Sequence, residues 1–378
     1  MSERPTVLGA LRRFLPEFLA TDPPLCPSQR RAIWAITHCR TAALGGRVFA
    51  CKRCNHLHFA YHSCNHKACP QCGALANRRW VERELAKLIN APHFLVTFTL
   101  PAQLRGEFFG PSARQAYDLF FTAVRRALSE KLASDKALRA ALNGFTAVLH
   151  TWNQRLEFHP HIHCLVPGAG LHAEGNFVRV KNDQFLLYLP HLQNAFRQHF
   201  YQLLKEHDWK VNPEVWSKDW GVHIQPAGSG ASALKYLGAY VARTAINDAR
   251  MLALSNDSVT FRWKDRSDHN RTKIKTLPGV EFVRHYLRHV LPIGLRSIRY
   301  YGFCHPTAKA NRLRVQLHSG KSVLFGPSEP MCALPTSEAP RCPQCGQPMQ
   351  LVFSASLWDK TRAPPRRPAF PPLISFAA

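Results

Sequence analysis

Hydrophobic and polar residues alternate through the middle of the chain with periods typical of helices and strands. Apolar side chains recur every four residues over residues 112–133, which predicts an amphipathic helix, and residues 229–245 show a second helical pattern. β-Branched and aromatic residues dominate shorter runs, which predict strands at residues 94–100, 145–152, 159–166, 176–180 and 222–225. Strands joined by short reversals and separated by helices indicate an α+β fold with an antiparallel sheet flanked by helices.

The charge of the chain indicates which kind of partner it binds. The chain holds 50 Lys and Arg residues against 24 Asp and Glu, a formal net charge of +26. A field of this sign concentrates polyanions, so DNA is the expected partner, although a basic protein without such a role would share the composition. No apolar run approaches the roughly 20 residues that span a bilayer, and no signal peptide is evident. We therefore expect a cytoplasmic protein without a membrane partner, whose 12 cysteines are thiols or metal ligands.

Composition divides the chain into four segments. Residues 1–90 combine an amphipathic start, a Cys/His-rich centre and a charged helix, and residues 91–250 form the predicted α+β core. Residues 251–330 are a basic extension of that core. Residues 331–378 hold a Cys-x-x-Cys knuckle followed by a Pro/Arg-rich tail, which we predict to be disordered or to lie along DNA.

Two Cys-x-x-Cys pairs lie close together in the first segment. Cys51 and Cys54 form one pair, and Cys69 and Cys72 form the other. Two such turns supply four thiolates, enough for the tetrahedral shell of one zinc ion, so we predict a closed structural zinc site. A surplus of donors between the pairs leaves open a second ion or an exchange of ligands: His56, His58, His62, Cys64 and His66.

A third pair, Cys342 and Cys345, lies near the end of the chain. By itself it is half of a zinc site, and Cys332 and Cys304 are candidates to complete it. The pairing of this second knuckle stays open. Three further cysteines have no metal-ligand spacing and are predicted to be ordinary thiols: Cys26, Cys39 and Cys164.

Three histidines share one face of a predicted strand. His159, His161 and His163 alternate with apolar residues, so period two places their imidazoles on the same side. Such a cluster indicates a metal platform rather than packing. Two histidines with one oxygen donor suit a divalent ion that polarises a phosphate, whereas three histidines suit a hydrolytic zinc. Gln154 is the candidate oxygen donor, and Glu157 is its competitor.

Two tyrosines are spaced by one helical turn. Tyr236 and Tyr240 lie at i and i+4 of the second predicted helix, and such a pair usually belongs to a core. Beside a metal site and an excess of positive charge, a tyrosine phenol can instead attack a phosphodiester. Lys235 and Arg243 are placed to assist the developing negative charge, and Gly238 would let DNA approach closely.

Several motifs in chain order carry a resemblance to a known family. They are CRTAALGG, VTFTLP, TWNQ, HPHIHCLVPG and KYLGAYVAR over about residues 39–250, and FRWKDR, LPIGLRSIRYYGF and CPQCG further on. The chain resembles the HUH endonuclease superfamily, named for a His-hydrophobic-His motif that is His161-Ile162-His163 here. More closely, it resembles the IS91 type of insertion-sequence transposases, the two-tyrosine rolling-circle group.

This resemblance implies a fold, an activity and a set of site residues. The fold would be an HUH-type antiparallel sheet flanked by helices, behind a zinc-binding module in which Cys64 and His66 are further candidate zinc ligands. His161 and His163 would bind Mg²⁺ or Mn²⁺ together with a polar residue, for which Gln154 is the match. Tyr236 and Tyr240 would nick single-stranded DNA at the element ends through a 5′-phosphotyrosine and transfer it into a target. The protein would act at the bacterial nucleoid.

Two other functions fit parts of the sequence. A non-catalytic zinc-dependent DNA-binding protein explains the charge and the cysteines but leaves the histidines idle. A metal hydrolase using the three histidines leaves the tyrosines unexplained. Residues 319–322 end like a phosphate-binding loop, but Val315 stands where its first glycine belongs, so we expect no nucleotide cofactor. Strand separation would then depend on a host helicase.

Overall fold

A computed structural model describes residues 4–136, 138–241, 245–265, 267–320 and 339–356. Its α-helices are α1 (Val7–Ala20), α2 (Pro27–His38), α3 (Ala74–Lys87), α4 (Ala113–Ser134), α5 (Leu189–Glu206), α6 (Ala231–Val241), α7 (Gly279–Leu287) and α8 (Lys309–His318). Its strands are β1 (Gly45–Ala50), β2 (Leu57–Tyr61), β3 (His93–Thr99), β4 (Gly144–Trp152), β5 (Phe158–Pro167), β6 (Ala169–Leu171), β7 (Phe177–Arg179), β8 (Val222–Pro226), β9 (Met251–Leu254), β10 (Ser258–Asp265), β11 (Arg271–Pro278), β12 (Ile298–Gly302) and β13 (Gln350–Ser356).

A five-stranded sheet forms the centre of the molecule. Its strands run in the order β12-β4-β5-β3-β8, and every neighbouring pair is antiparallel. The mixed helix and antiparallel-sheet class predicted from the sequence is therefore confirmed. The edge strand β12 comes from the segment that the sequence assigned to the basic extension, so that segment contributes to the central sheet.

The two faces of this sheet have different partners. Apolar side chains on one face, among them Ile162, Cys164 and Val166 of β5, are buried in the main core with α4 and α5. On the other face, Val148 of β4 and Leu165 of β5 pack with α3 and α6. The period-two alternation of a strand thus separates a mainly apolar face from a face that carries the histidines.

A second core combines the N-terminal helices with residues 245–290. The apolar side of α1 packs against α7, and residues of α2 and β10 belong to the same cluster. Thr6 caps α1 by accepting a hydrogen bond from the backbone N–H of Gly9 at 3.0 Å. The segments predicted as residues 1–90 and 251–330 therefore share buried apolar residues, while the domain boundaries themselves stay a prediction.

A small sheet of three strands joins distant parts of the chain. Its order is β13-β1-β2, and β13 pairs antiparallel with β1 from Gly45–Ser356 to Ala50–Gln350. Within the described part of the chain, no helix is long and apolar enough to cross a membrane. The predicted Pro/Arg-rich tail from Thr361 onward lies outside the described residues, as do Lys321 and Ser322 of the loop-like motif.

Candidate active site and metal centres

A group of three imidazoles lies on the histidine face of the central sheet. His161 and His163 belong to β5, and His150 of the neighbouring strand β4 is directly opposite His161 in the register. The candidate ligand atoms of the three side chains all lie within 4.8 Å of one another. His150 and His163 are buried, with 2% and 4% of their surface exposed. Adjacent strands of one sheet therefore supply the three nitrogen donors of a candidate metal site.

Hydrogen bonds orient two of these rings. His161 Nδ1 lies 2.7 Å from the main-chain oxygen of His159, so this nitrogen carries the proton and donates it. His163 Nδ1 lies 2.8 Å from the hydroxyl of Thr97, which is the registered partner of His163 on β3. Engaging Nδ1 leaves Nε2 as the ligand atom, the usual arrangement for histidines that bind metals. The donor set therefore fits a divalent ion.

Tyr236 of α6 faces the histidine group. Its ring centroid lies 5.9 Å from that of His163, with the two rings perpendicular. Tyr236 and the three histidines line one cavity of about 430 Å³. The separation is well below the roughly 10 Å beyond which a nucleophile and a metal could not meet at one phosphate. The predicted tyrosine and the predicted histidine pair are thus brought together.

Of the other candidate residues on or beside α6, the structure describes Lys235 and Gly238 in full. Tyr240 belongs to α6, but its side chain lies outside the described part of the structure, and Arg243 lies outside it altogether. Lys235 is exposed. Gly238 is buried against α3, where an added Cβ would lie 2.0 Å from Val81 Cγ2. The expectation that Gly238 admits DNA is therefore wrong, because helix packing uses its missing side chain.

The third histidine of the group differs from the one expected. His159 lines the cavity, but its Nδ1 lies 2.8 Å from Arg105 Nη2, which donates to it. Burial, and then the charge of Arg105, lower the pKa of His159. His150 stands in its place in the group of ligand atoms, so a site of His159, His161 and His163 is corrected to one that includes His150.

The structure also distinguishes between the two candidate oxygen donors, Gln154 and Glu157. Gln154 lines the cavity, and its main-chain oxygen accepts a hydrogen bond from Arg250. Glu157 instead accepts a hydrogen bond from Asn153 at 2.8 Å and forms an ion pair with Arg155 at 3.3 Å. Gln154 therefore remains the candidate oxygen ligand, because it lines the same cavity as the histidines.

Aromatic and basic side chains surround the histidine cavity. Trp152 stacks on His150 with ring centroids 5.6 Å apart, and Trp263 of β10 lines the cavity beside Arg155. Trp152 also lines a second cavity of about 450 Å³. The second cavity carries three basic side chains: Arg31, Lys67 and Arg296. Two adjoining cavities lined by positive charge and aromatic side chains suit a nucleic-acid strand.

Four cysteines of the N-terminal module form one thiol group. They are Cys39, Cys64, Cys69 and Cys72. The Sγ atoms of Cys39 and Cys72 are 3.6 Å apart, and those of Cys64 and Cys72 are 3.7 Å apart. Tetrahedral coordination with Zn–S bonds of about 2.3 Å places sulfur atoms about 3.8 Å apart. The spacing therefore matches a four-cysteine zinc site.

A second thiol group combines two knuckles from opposite ends of the chain. Cys51 Sγ lies 3.4 Å from Cys345 Sγ, and Cys54 Sγ lies 3.4 Å from Cys342 Sγ. The prediction that Cys51, Cys54, Cys69 and Cys72 form one site is therefore wrong. Each local pair was recognised, but each closes with partners from elsewhere in the chain.

Of the remaining candidates of the cysteine analysis, His66 and Cys304 belong to neither group. His66 Nδ1 accepts a hydrogen bond from the backbone N–H of Ala68 at 3.1 Å, and burial lowers the pKa of His66. Cys304 packs with a separate apolar cluster around Phe303, and Cys332 lies outside the described residues. Cys39, predicted to be an ordinary thiol, is instead a member of the first group.

The thiols of each group polarise one another. Hydrogen bonds from Cys64, Cys69 and Cys72 hold the pKa of Cys39 far below that of a free thiol. In the second group, the backbone N–H of Cys54 leads the interactions that lower the pKa of Cys51 to about 6. Each group therefore contains a thiol predisposed to the thiolate form that binds zinc.

Comparison with known proteins agrees with this arrangement. Residues 10–100 match a family described as transposase zinc-binding domain, and residues 144–312 match a family described as putative transposase. The chain is 35% identical over 399 residues to the putative transposase y4qJ of Sinorhizobium fredii, which covers 96% of this chain and 98% of that relative. It is 26% identical over 348 residues to the transposase for insertion sequence element IS801 of Pseudomonas savastanoi pv. phaseolicola, with 84% and 82% covered.

A zinc-binding module in front of a sheet that carries histidines, with a tyrosine on the helix that faces them, defines a protein of the transposase class. The chain belongs to the IS91-type insertion-sequence transposases. Its macromolecular partner is therefore DNA, and its enzyme class is that of DNA-cutting and DNA-joining proteins. The N-terminal module is a zinc-binding domain.

Proposed function

We propose that this transposase cleaves and rejoins single-stranded DNA at insertion-sequence ends through a covalent 5′-phosphotyrosine, with Tyr236 as the first nucleophile. The observation that carries the proposal is the 5.9 Å separation between the rings of Tyr236 and His163 in one cavity. The mechanism is that of rolling-circle transposition. Tyr240 follows Tyr236 by one helical turn and is the proposed second nucleophile.

In the proposed step, the phenol of Tyr236 gives up its proton and its oxygen attacks a backbone phosphorus. The P–O3′ bond breaks, which leaves a free 3′ hydroxyl on one side and a 5′-phosphotyrosine on the other. The covalent link conserves the bond energy, so a 3′ hydroxyl of the target can reverse the reaction and join the strands. A second tyrosine would hold a second strand during the exchange. Lys235 and Arg243 are proposed to assist by countering the charge of the phosphate.

His150, His161 and His163 are the proposed ligands of a catalytic divalent ion, with Gln154 as a fourth candidate. When bound, such an ion polarises the scissile phosphate and stabilises its developing negative charge. Mg²⁺ prefers oxygen donors, whereas imidazole nitrogens favour first-row transition ions. Of the two ions expected from the family resemblance, the three-imidazole site therefore favours Mn²⁺ over Mg²⁺.

The DNA strand is proposed to cross the two adjoining cavities. Trp263 lines the cavity of the histidines, and Arg31, Lys67 and Arg296 line the neighbouring cavity. Aromatic stacking and phosphate contacts of this kind bind single strands without reading a long sequence. Tyr300 and Tyr301 are poorer candidates, since Tyr300 accepts a hydrogen bond from Trp80 and Tyr301 packs against the core. A host helicase would supply the single strand.

The test is a covalent-capture assay. A labelled single-stranded oligonucleotide that carries the element end is incubated with Mn²⁺ or Mg²⁺ and resolved on a denaturing protein gel. We expect a protein–DNA band with the wild type that disappears with His161→Ala and is lost or strongly reduced with Tyr236→Phe. Tyr188→Phe is the matched control, because Tyr188 is exposed and its ring lies 4.8 Å from that of His191, away from the cavity. A full-strength band with Tyr236→Phe would refute its role as first nucleophile.

One observation favours a second candidate, a metal hydrolase. A set of three imidazoles also suits a zinc ion that activates water. The same gel separates the two mechanisms, because hydrolysis releases cut DNA without a covalent band at any time. Salt-sensitive binding without cleavage would instead indicate a DNA-binding protein that lacks nuclease activity.

A further inference from the structure

We propose that Cys51, Cys54, Cys342 and Cys345 hold a second structural zinc ion, which joins the C-terminal knuckle to the N-terminal module. Half of this site lies outside residues 10–100, the part of the chain that matches the transposase zinc-binding domain. The bound ion would be zinc, because four thiolates at tetrahedral spacing are the typical closed shell of a structural zinc ion. The site is separate from the group that contains Cys69 and Cys72.

The two knuckles have the same backbone construction. In the first, the N–H of Cys51 donates to the oxygen of His56 at 3.0 Å, and the N–H of Asn55 donates to the oxygen of Cys51 at 2.9 Å. In the second, the N–H of Cys342 donates to Gln347 and the N–H of Gly346 donates to Cys342, both at 2.8 Å. This repeated turn points two sulfur atoms at a single position.

The residue four positions after the first cysteine has the same conformation in both knuckles. Asn55 has a φ of +57° and Gly346 has a φ of +72°, so both lie in the left-handed region. Such a conformation is uncommon outside Gly, Asn and Asp, and its recurrence at one knuckle position is a sign of shared construction. The C-terminal pair is therefore built as a metal knuckle and is not a pair of incidental thiols.

Strand pairing delivers the second knuckle to the first. β1 leads directly into Cys51, and Ala50 at its end is paired with Gln350 at the start of β13. The sulfur atoms meet at distances of 3.4 Å for Cys51–Cys345 and 3.7 Å for Cys54–Cys345. These values are close to the roughly 3.8 Å expected around one tetrahedral zinc ion.

Apolar burial around this junction is small. Its cluster of buried residues consists of Cys51, Cys342 and Met349, with Phe49 and Cys345 packed against them. So little buried apolar surface contributes little to folding free energy, and small modules of this kind commonly depend on a metal. We infer that the ion, rather than a hydrophobic core, fixes the C-terminal knuckle in place.

Zinc content of the full-length protein tests the proposal. We expect two zinc ions per chain in the wild type and one in Cys342→Ser/Cys345→Ser, measured by elemental analysis after gel filtration. Cys51→Ser/Cys54→Ser should lose the same ion, so the quadruple variant should still retain one. Cys26→Ser is the matched control, since Cys26 is exposed and outside both thiol groups, and it should retain two.

A labelling experiment on the wild type avoids any dependence on folding of the variants. Cys54 and Cys26 are both exposed, so free thiols at these positions would react with iodoacetamide at similar rates. We expect Cys54 and Cys345 to resist alkylation until a chelator is added, while Cys26 reacts at once. Unchanged zinc content in Cys342→Ser/Cys345→Ser, or alkylation of Cys54 and Cys345 as fast as Cys26, would overturn the proposal.

Discussion

The thiol groups and the histidine group use different means to gather their ligands. Each thiol group collects its four cysteines from separate turns and loops, with three cysteines buried in the first group and two in the second. The histidine group takes its three side chains from two adjacent strands of the central sheet and opens onto a cavity. A closed shell suits a structural ion, whereas an open shell on a rigid sheet leaves coordination positions for a substrate.

The largest expected difference between these regions is in folding. Loss of a structural zinc site removes folding free energy directly, by an amount on the order of 10 kcal/mol in isolated zinc modules. Cys69→Ser/Cys72→Ser should therefore unfold the N-terminal module, seen by circular dichroism and thermal melting. His161→Ala should abolish cleavage but leave the melting temperature within a few degrees of the wild type. If His161→Ala lowered the melting temperature as much as the cysteine variant does, the two regions would not differ in their contribution to folding.

Catalysis should distinguish the members of the histidine group. Replacing an outer-shell partner of a metal ligand costs about 10- to 100-fold, so removal of a ligand should cost more. We expect His150→Ala to slow cleavage by over about 100-fold, and Gln154→Ala by about 10-fold or less. Single-turnover cleavage across a Mn²⁺ titration would measure both effects. A larger effect of Gln154→Ala than of His150→Ala would indicate that Gln154 is the third metal ligand and that His150 lies outside the metal site.

A smaller effect should connect the two regions through α3. This helix begins two residues after Cys72, and its Val81 occupies the space left by Gly238 on the tyrosine helix. Gly238→Ala should push the helices apart and displace Tyr236, and a misplacement of about 1 Å can cost about 100-fold in rate. The double variant Val81→Ala/Gly238→Ala restores the space and should recover most of the cleavage. If it did not, the glycine would serve a purpose other than helix packing.

The smallest effects are expected on the open side of the histidine site. Arg31→Ala, Lys67→Ala and Arg296→Ala should each weaken single-strand binding a few-fold. Because each of these side chains is expected to neutralise one phosphate, its removal should reduce the slope of log affinity against log salt by about 0.7. Fluorescence anisotropy at several salt concentrations would measure these slopes. Arg197→Ala on α5, which lines neither cavity, provides a matched control and should leave the slope unchanged.

Features that depend on residues close together in the sequence could be predicted, and features that depend on distant residues could not. The strands β3, β4 and β5 and the helix α4 were recognisable because their patterning is local. The Cys-x-x-Cys pairs and the His161–His163 pair were recognisable for the same reason. The pairing of cysteines from separate parts of the chain could not be predicted, because the positions of Cys39 and Cys342 in the thiol groups depend on tertiary contacts. His150 could have been found from the strand pattern, since its strand was predicted next to that of His161, but strand register is not fixed by sequence spacing.

The packing of α1 against α7 has a consequence for biosynthesis. Phe14 of α1 and Phe282 of α7 are buried in one cluster. At translation rates of about 5–20 residues per second, the ribosome reaches α7 roughly 14 to 54 seconds after α1. During that interval the apolar side of α1 lacks a major partner, so the nascent chain is a natural client for chaperones. Premature termination before α7 would leave this surface exposed, and the truncated chain should be removed by proteolysis rather than accumulate.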